Sequence, residues 1–213
     1  MVDPVKPARR YDASRRQEQA RENRRRVLDA AHRLFLDKGY ANTAMPEIAK
    51  AAGVSVQTVY KTFANKATLL KAVFDVSVAG DDEPVPIAER DAIATIRAEP
   101  SAARKITLYS RIIAEGSHRW GPVLLLARDA ARADPAAAGV WAQMRQETLT
   151  AMTLFGTDLV ATGQVRLSVE EARDILWLYH SPEVYELLVL ERGWDLERYA
   201  RFFAEAVIAA LLS

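Results

Sequence analysis

The stretch TAMPEIAKAAGVSVQTVYKTFANKATLL, residues 43–70, limits most tightly what this chain can form. Ile48, Val54, Val59, Phe63 and Leu69 recur at helical spacing and read as core. Thr43 is placed to cap a helix over 44–52, whose first turn tolerates Pro46 and whose dipole favours Glu47. Small Ala52 lets a second helix approach closely, and Gly53 permits a tight turn. Ser55 caps that second helix, 56–63, and Asn65 caps a third from Lys66 to about Val78. Upstream, Val27, Ala30, Ala31, Leu34 and Phe35 form one face of a helix from about Arg21 to Lys38, ended by Gly39. Short helices joined by such turns make a helix-turn-helix.

A helix held outward by that geometry fits the DNA major groove, whose width accepts one helix. Val56, Gln57 and Thr58 occupy its first turn, where side chains meet base edges. Gln57 suits a bidentate pair with adenine, and Val56 or the Thr58 methyl suits a thymine methyl. Tyr60, Lys61, Thr62 and Lys66 are candidate phosphate donors, with Thr43 at a helix N-terminus. The alternative for Tyr60 is packing against the helix pair. Charge points the same way. Residues 1–80 hold 15 Lys and Arg against 8 Asp and Glu, whereas residues 81–213 hold 14 against 20. A basic head on an acidic body suggests that the head meets a polyanion. Residues 1–20 read as a flexible basic arm whose Arg9, Arg10, Arg15 and Arg16 either reach a groove or form a disordered tail.

The segment GDDEPVP, 80–86, marks a domain boundary. The chain then divides into an arm (1–20), a helix-turn-helix domain (21–80) and a helical ligand-binding and dimerisation domain (81–213). In the last, helical patterns are punctuated at Pro100, Trp120–Gly121–Pro122, Asp134–Pro135 and Gly163. Ser168 with Glu171 spells a capping box. Ser181–Pro182 either kinks a helix or starts one, and Asp195 caps a final helix to Leu212. No strand-like alternation persists, so the fold class is all-α, with a helical bundle after the head. Tyr109, Ile113, His118, Trp120, Trp141, Met144, Phe155, Trp177 and Tyr179 are candidates for an effector pocket, or else core. There is no cysteine, and His32, His118 and His180 fall in no metal-binding spacing. No metal or other cofactor is expected. No apolar run approaches the roughly 20 residues of a membrane span, so the chain is expected to be cytoplasmic.

The pattern T-x-M-x-x-I-A-x-x-A-G-V-S-x-x-T-x-Y-x-x-F-x-x-K-x-x-L-L runs through residues 43–70 without a gap. It resembles the TetR family of bacterial transcriptional regulators. The helix bearing Ala30, Ala31, Phe35 and Gly39–Tyr40 looks like that family's first helix. The likeness covers about residues 24–76, and Gln57 departs from a position where many members have glycine. It implies base contacts from Val56, Gln57 and Thr58, and phosphate contacts from Thr43, Tyr60, Thr62 and Lys66. It also implies a homodimer, with 170–192 and 193–212 forming a four-helix interface. Phe202, Phe203, Ala206, Val207, Ala210 and Leu211 would then face a partner subunit rather than only their own core. The function implied is repression from a palindromic double-stranded operator, with release by a small-molecule effector. Activation stays open. An all-α enzyme lacks support, since no P-loop, dinucleotide-binding glycine motif or cysteine nucleophile is present. A helical interaction module without a DNA role would differ by showing no salt-dependent duplex binding.

Overall fold

The computed structural model describes residues 9–80 and 91–212, with side chains from residue 15 onward. Among them every regular element is helical: α1 Arg9–Asn42, α2 Met45–Ala52, α3 Val56–Phe63, α4 Lys66–Ala79, α5 Asp91–Ala98, α6 Ala102–Ala130, α7 Pro135–Val160, α8 Val169–Tyr179, α9 Pro182–Tyr185, a π-helical segment Glu186–Glu191 and α10 Leu196–Leu212. Two compact units result, dividing between Val73 and Phe74 within α4. The expected break at 80–86 falls almost wholly in residues outside the described set, as do the first eight residues of the expected arm.

The first unit is held by Val27, Ala31 and Phe35 of α1, Ile48 and Ala49 of α2, Val59 and Phe63 of α3, and Leu69 and Leu70 of α4. Val54 is only half-buried. Helix α1 starts at Arg9, well before the expected Arg21. Its early residues are rich in Arg, Gln, Glu and Ala, all good helix formers, so a helix propagates without a packed face. Gly39 breaks its helical geometry at φ 78°. Gly53 takes the left-handed conformation at φ 66°, donating its N–H to Lys50. Ser55 caps α3, accepting from the Thr58 amide at 3.1 Å, and Asn65 does the same for the Thr68 amide at 2.8 Å.

One local expectation is corrected here. Ala44, not Thr43, is the residue before α2, and it makes no side-chain cap. Thr43 is buried, and its hydroxyl donates to the Gly39 carbonyl at 2.9 Å and the Leu34 carbonyl at 3.2 Å. It thereby ties the start of α2 to the last turns of α1. Lys66 closes the same corner. Its Nζ donates to the Tyr40 carbonyl at 2.8 Å and the Thr43 carbonyl at 3.1 Å, and lies 4.2 Å from the Tyr40 ring centroid.

In the second unit, α6 runs unbroken through Trp120–Gly121–Pro122, where a break was expected. Pro122 inside a helix costs about 3 kcal/mol. Trp120, Val123 and Leu124 are buried beside it, and burying each such side chain contributes about 1.5–3 kcal/mol, which outweighs that cost. Gly121 is required there, because a Cβ would lie 2.8 Å from the buried Tyr185 ring. Asp134 caps α7, accepting from the amides of Ala136 (2.8 Å) and Ala137 (3.3 Å). Ser168 and Glu171 form the expected capping box. Pro182 opens a new helix, resolving that alternative. Asp195 accepts from the Arg198 amide at 2.7 Å.

Lys105 is 2% exposed on α6. Its Nζ donates to the Ile96 carbonyl (2.9 Å), the Arg97 carbonyl (2.7 Å) and Asp158 Oδ2 (2.7 Å). One ammonium thus ties the end of α5 to α7. The last helix divides its apolar stripe. Phe203, Val207 and Leu211 are buried, whereas Phe202 and Ala206 are half-buried and Ala210 is exposed.

Candidate nucleic-acid interface

Helix α3 buries Val59 and Phe63 and turns the rest of its surface outward. Helical spacing dictates this: positions 59 and 63 are one turn apart, so the inner face is one row wide. Val56 is 37% exposed and Tyr60 47% exposed, which excludes Tyr60 from the core. Gln57, Lys61 and Thr62 are also exposed, and Thr58 is half-buried. The Thr58 hydroxyl lies 2.8 Å from Ser55 Oγ, which orients its methyl, and Thr62 Oγ1 donates back to the Thr58 carbonyl at 2.8 Å. Val56, Gln57, Thr58, Tyr60, Lys61 and Thr62 therefore share one short rigid rod. Thr43 and Lys66 do not join them as free donors, since both are engaged at the α1–α2 corner. Lys66 bonds carbonyls 23 and 26 residues back, where local reading has no purchase.

Arg24 and Arg26 were not among the expected site residues. The Arg24 guanidinium lies 5.0 Å from the Phe63 ring centroid, at the end of α3. An Arg26 Nη1 lies 3.7 Å from where a Gly53 Cβ would stand, at the turn. The arginine run of α1 thus passes the turn before α3 and the end of α3. A clue was available in the sequence: arginines continue the helical stripe that Val27 and Ala31 begin.

The expected effector residues separate into groups. Tyr109 meets Phe155 at 4.5 Å between ring centroids, His180 at 6.3 Å and Phe203 at 6.1 Å. Trp120 stacks on His180 at 5.2 Å. Ile113 and Met144 are buried. Trp141 and Trp177 instead flank the Arg145 guanidinium, at 5.5 and 4.1 Å. Tyr179 packs edge-on against Phe202, and His118 is exposed. A groove of about 560 Å³ lies elsewhere in this unit, between α6 and α10, lined by residues including Ser110, Arg111, Glu115, Arg201 and Ile208. None of the nine expected residues lines it. The interior cluster has a polar side that spacing alone did not show. His180 Nδ1 and the Tyr199 hydroxyl are buried with no hydrogen-bond partner. Burial pushes the Tyr109 and Tyr199 hydroxyls above their ordinary values. Among the described residues, no side-chain cluster could hold a metal ion and no helix is long and apolar enough to cross a membrane.

A helix-turn-helix unit followed by a separate all-helical unit defines the class to which this chain belongs. The model of the tetR family of bacterial regulatory proteins matches residues 27–73. The likeness to that family therefore lies in the N-terminal helix-turn-helix segment. It is 38% identical over 65 residues to the HTH-type transcriptional regulator AcrR of Shigella flexneri, 30% of each chain. It is 41% identical over 61 residues to TtgR of Pseudomonas putida, 29% of each. The match thus spans under a third of the length of these transcriptional regulators. The fold likeness extends further. The crystal structure of FadR from Bacillus subtilis, in complex with stearoyl-CoA, superposes with a TM-score of 0.69 at 21% identity over 87% of this chain and 98% of that one.

Proposed function

We propose that this chain is a DNA-binding transcriptional regulator that occupies a palindromic operator as a homodimer, represses, and is released by a small-molecule effector. Residues 21–80 serve as the DNA-binding domain and 81–213 as the effector and dimerisation domain, working in the cytoplasm. The observation that carries the reading is the outward set Val56, Gln57, Tyr60 and Lys61 on a helix whose opposite row, Val59 and Phe63, is sealed in the core. Base readers must be both exposed and rigid, and α3 supplies both conditions.

Dimerisation is supported by large apolar side chains left open in the second unit. Leu154, Leu178, Leu187 and Leu190 are all more than half exposed, and Phe202, Ala206 and Ala210 add to them on α10. Such surface calls for a partner. Two copies of α3 about one DNA turn apart (~34 Å) would read two half-sites. For an effector, the aromatic cluster around Tyr109 offers apolar area, with His180 Nδ1 and the Tyr199 hydroxyl as unpaired polar groups. Release requires only that the ligand favour a state in which the two heads no longer fit the operator. FadR holds an acyl-CoA on this fold.

Selection of bound duplexes from a random pool by the purified protein tests the reading, which expects a palindromic consensus. Gln57→Ala is expected to relax preference at one base position of each half-site by about 1–3 kcal/mol, with the rest of the consensus unchanged. Absence of any enriched sequence, with no salt-dependent duplex binding, would remove the regulator reading.

A further inference from the structure

Between Tyr185 and Gly193 the backbone leaves the ordinary helical pattern. The Arg192 amide donates to the Leu187 carbonyl and the Trp194 amide to the Leu188 carbonyl, five and six residues back. A π turn is rare and occurs mostly at functional sites. This one carries Leu187 and Leu190, 53% and 52% exposed. They stand three residues apart, and neither has a place in the core of its own subunit.

The start of the turn is gripped from α6. Tyr185 is buried, with its ring against Gly121, where a Cβ would lie 2.8 Å away. One residue on, Glu186 receives a two-pronged bond from Arg128. Nη1 donates to Oε2 at 2.9 Å and Nη2 to Oε1 at 3.1 Å. Glu183, three residues earlier and on the same side of the chain, accepts from the same Nη1 at 3.4 Å. The Arg128 side chain is 20% exposed and that of Glu186 32%, so water screens the pair only in part. At the other end Gly193 takes the left-handed conformation, at φ 67°.

A guanidinium fork fixes the orientation of a carboxylate as well as its charge, which a lysine ammonium does not. What this orientation governs is the direction of the two leucines. Relaxing the π turn by one residue would rotate the chain within it by about 100°. We propose that Arg128 is a positioning residue for the subunit interface: its grip on Glu186, with Tyr185 seated on α6, holds the π turn so that Leu187 and Leu190 meet a second copy of this chain. The inference rests on the reading of this unit as dimerising and adds the device that aims its surface. Arg128 acts through the turn and not by touching the partner.

Sedimentation equilibrium of the full-length protein tests this through the dimer dissociation constant. Arg128→Lys keeps the positive charge and loses the fork. It is expected to weaken the dimer about tenfold, on the scale of one leucine side chain lost from an interface. Glu186→Gln should shift the constant in the same direction by less, and it carries the test if circular dichroism shows the lysine variant unfolded. The deciding measurement combines two changes. In a Leu187→Ala background, Arg128→Lys should weaken the dimer clearly less than it does in the parent, because the two changes act on one contact. Full additivity would reduce the grip to a general stiffening of the subunit and overturn the proposal. So would variants that dimerise as tightly as the parent. In either case a dimeric parent leaves the reading of this unit as dimerising intact, whereas a parent that stays monomeric at every concentration removes both.

Discussion

Asp158→Ala is expected to lower the stability of the protein by about 3 kcal/mol, because it strands a buried ammonium. Lys105 Nζ holds Asp158 at 2.7 Å, with the lysine side chain 3% exposed and the aspartate 30% exposed. Removing one member of a buried pair generally costs about 3–5 kcal/mol. The lower end applies here, since water reaches Asp158 and two backbone carbonyls remain on the ammonium. Lys105→Met is the informative comparison. It deletes the buried charge, keeps most of the stem's packing, and leaves a carboxylate that can turn to solvent. Urea denaturation should therefore rank Asp158→Ala as more damaging than Lys105→Met. The reverse order would mean that the lysine stem, and not its charge balance, holds α5 in place.

The second large effect is a dependence of stability on pH set by His180. Burial holds this imidazole down to about 4, against an ordinary value of 6.5. Its neighbours are the Trp120 and Tyr109 rings, which offer no compensating charge. In the folded chain His180 stays neutral between pH 6.5 and 4, while in the unfolded chain it takes up a proton. The stability it contributes is present above pH 6.5 and falls as pH drops toward 4. The loss is about 1.4 kcal/mol per pH unit, or about 3 kcal/mol in all. Carboxylates titrate near the lower limit too, so the difference between the parent and His180→Phe isolates the histidine. Urea midpoints at pH 7.5 and 5 should diverge for the parent and stay closer together for the variant. Parallel behaviour of the two proteins would show that His180 is reached by water.

Signals carried by a side chain bonding to its own neighbourhood were legible in the sequence. Ser55, Asn65, Ser168 with Glu171, and Asp195 all cap helices as their spacing indicates. In each case the partner amide lies three residues away. The bonds of Thr43 and Lys66 within the first unit were less legible. Thr43 bonds a carbonyl nine residues back, and Lys66 reaches one twenty-six residues back. Their polar groups look available only while the corner they close is unknown. The outward face of α3 could be read because Val59 and Phe63 define its inside. The interior of the second unit could not. Tyr109, Trp120 and Trp141 are alike in sequence, yet only the first two join the cluster around His180. Which helices cross there depends on packing that periodicity does not encode.

The π-helical segment Glu186–Glu191 also bears on how this chain tolerates change. There the Arg192 amide reaches back five residues to Leu187, so the segment stores one residue more than an ordinary helical turn. Losing a single residue between Glu186 and Glu191 would tighten that turn into a regular one, while Gly193 and the capped start of α10 kept their places. The segment thus acts as slack in the chain's length, and it carries the exposed Leu187 and Leu190. Insertions and deletions there can re-aim those two side chains without disturbing the buried row of Phe203, Val207 and Leu211.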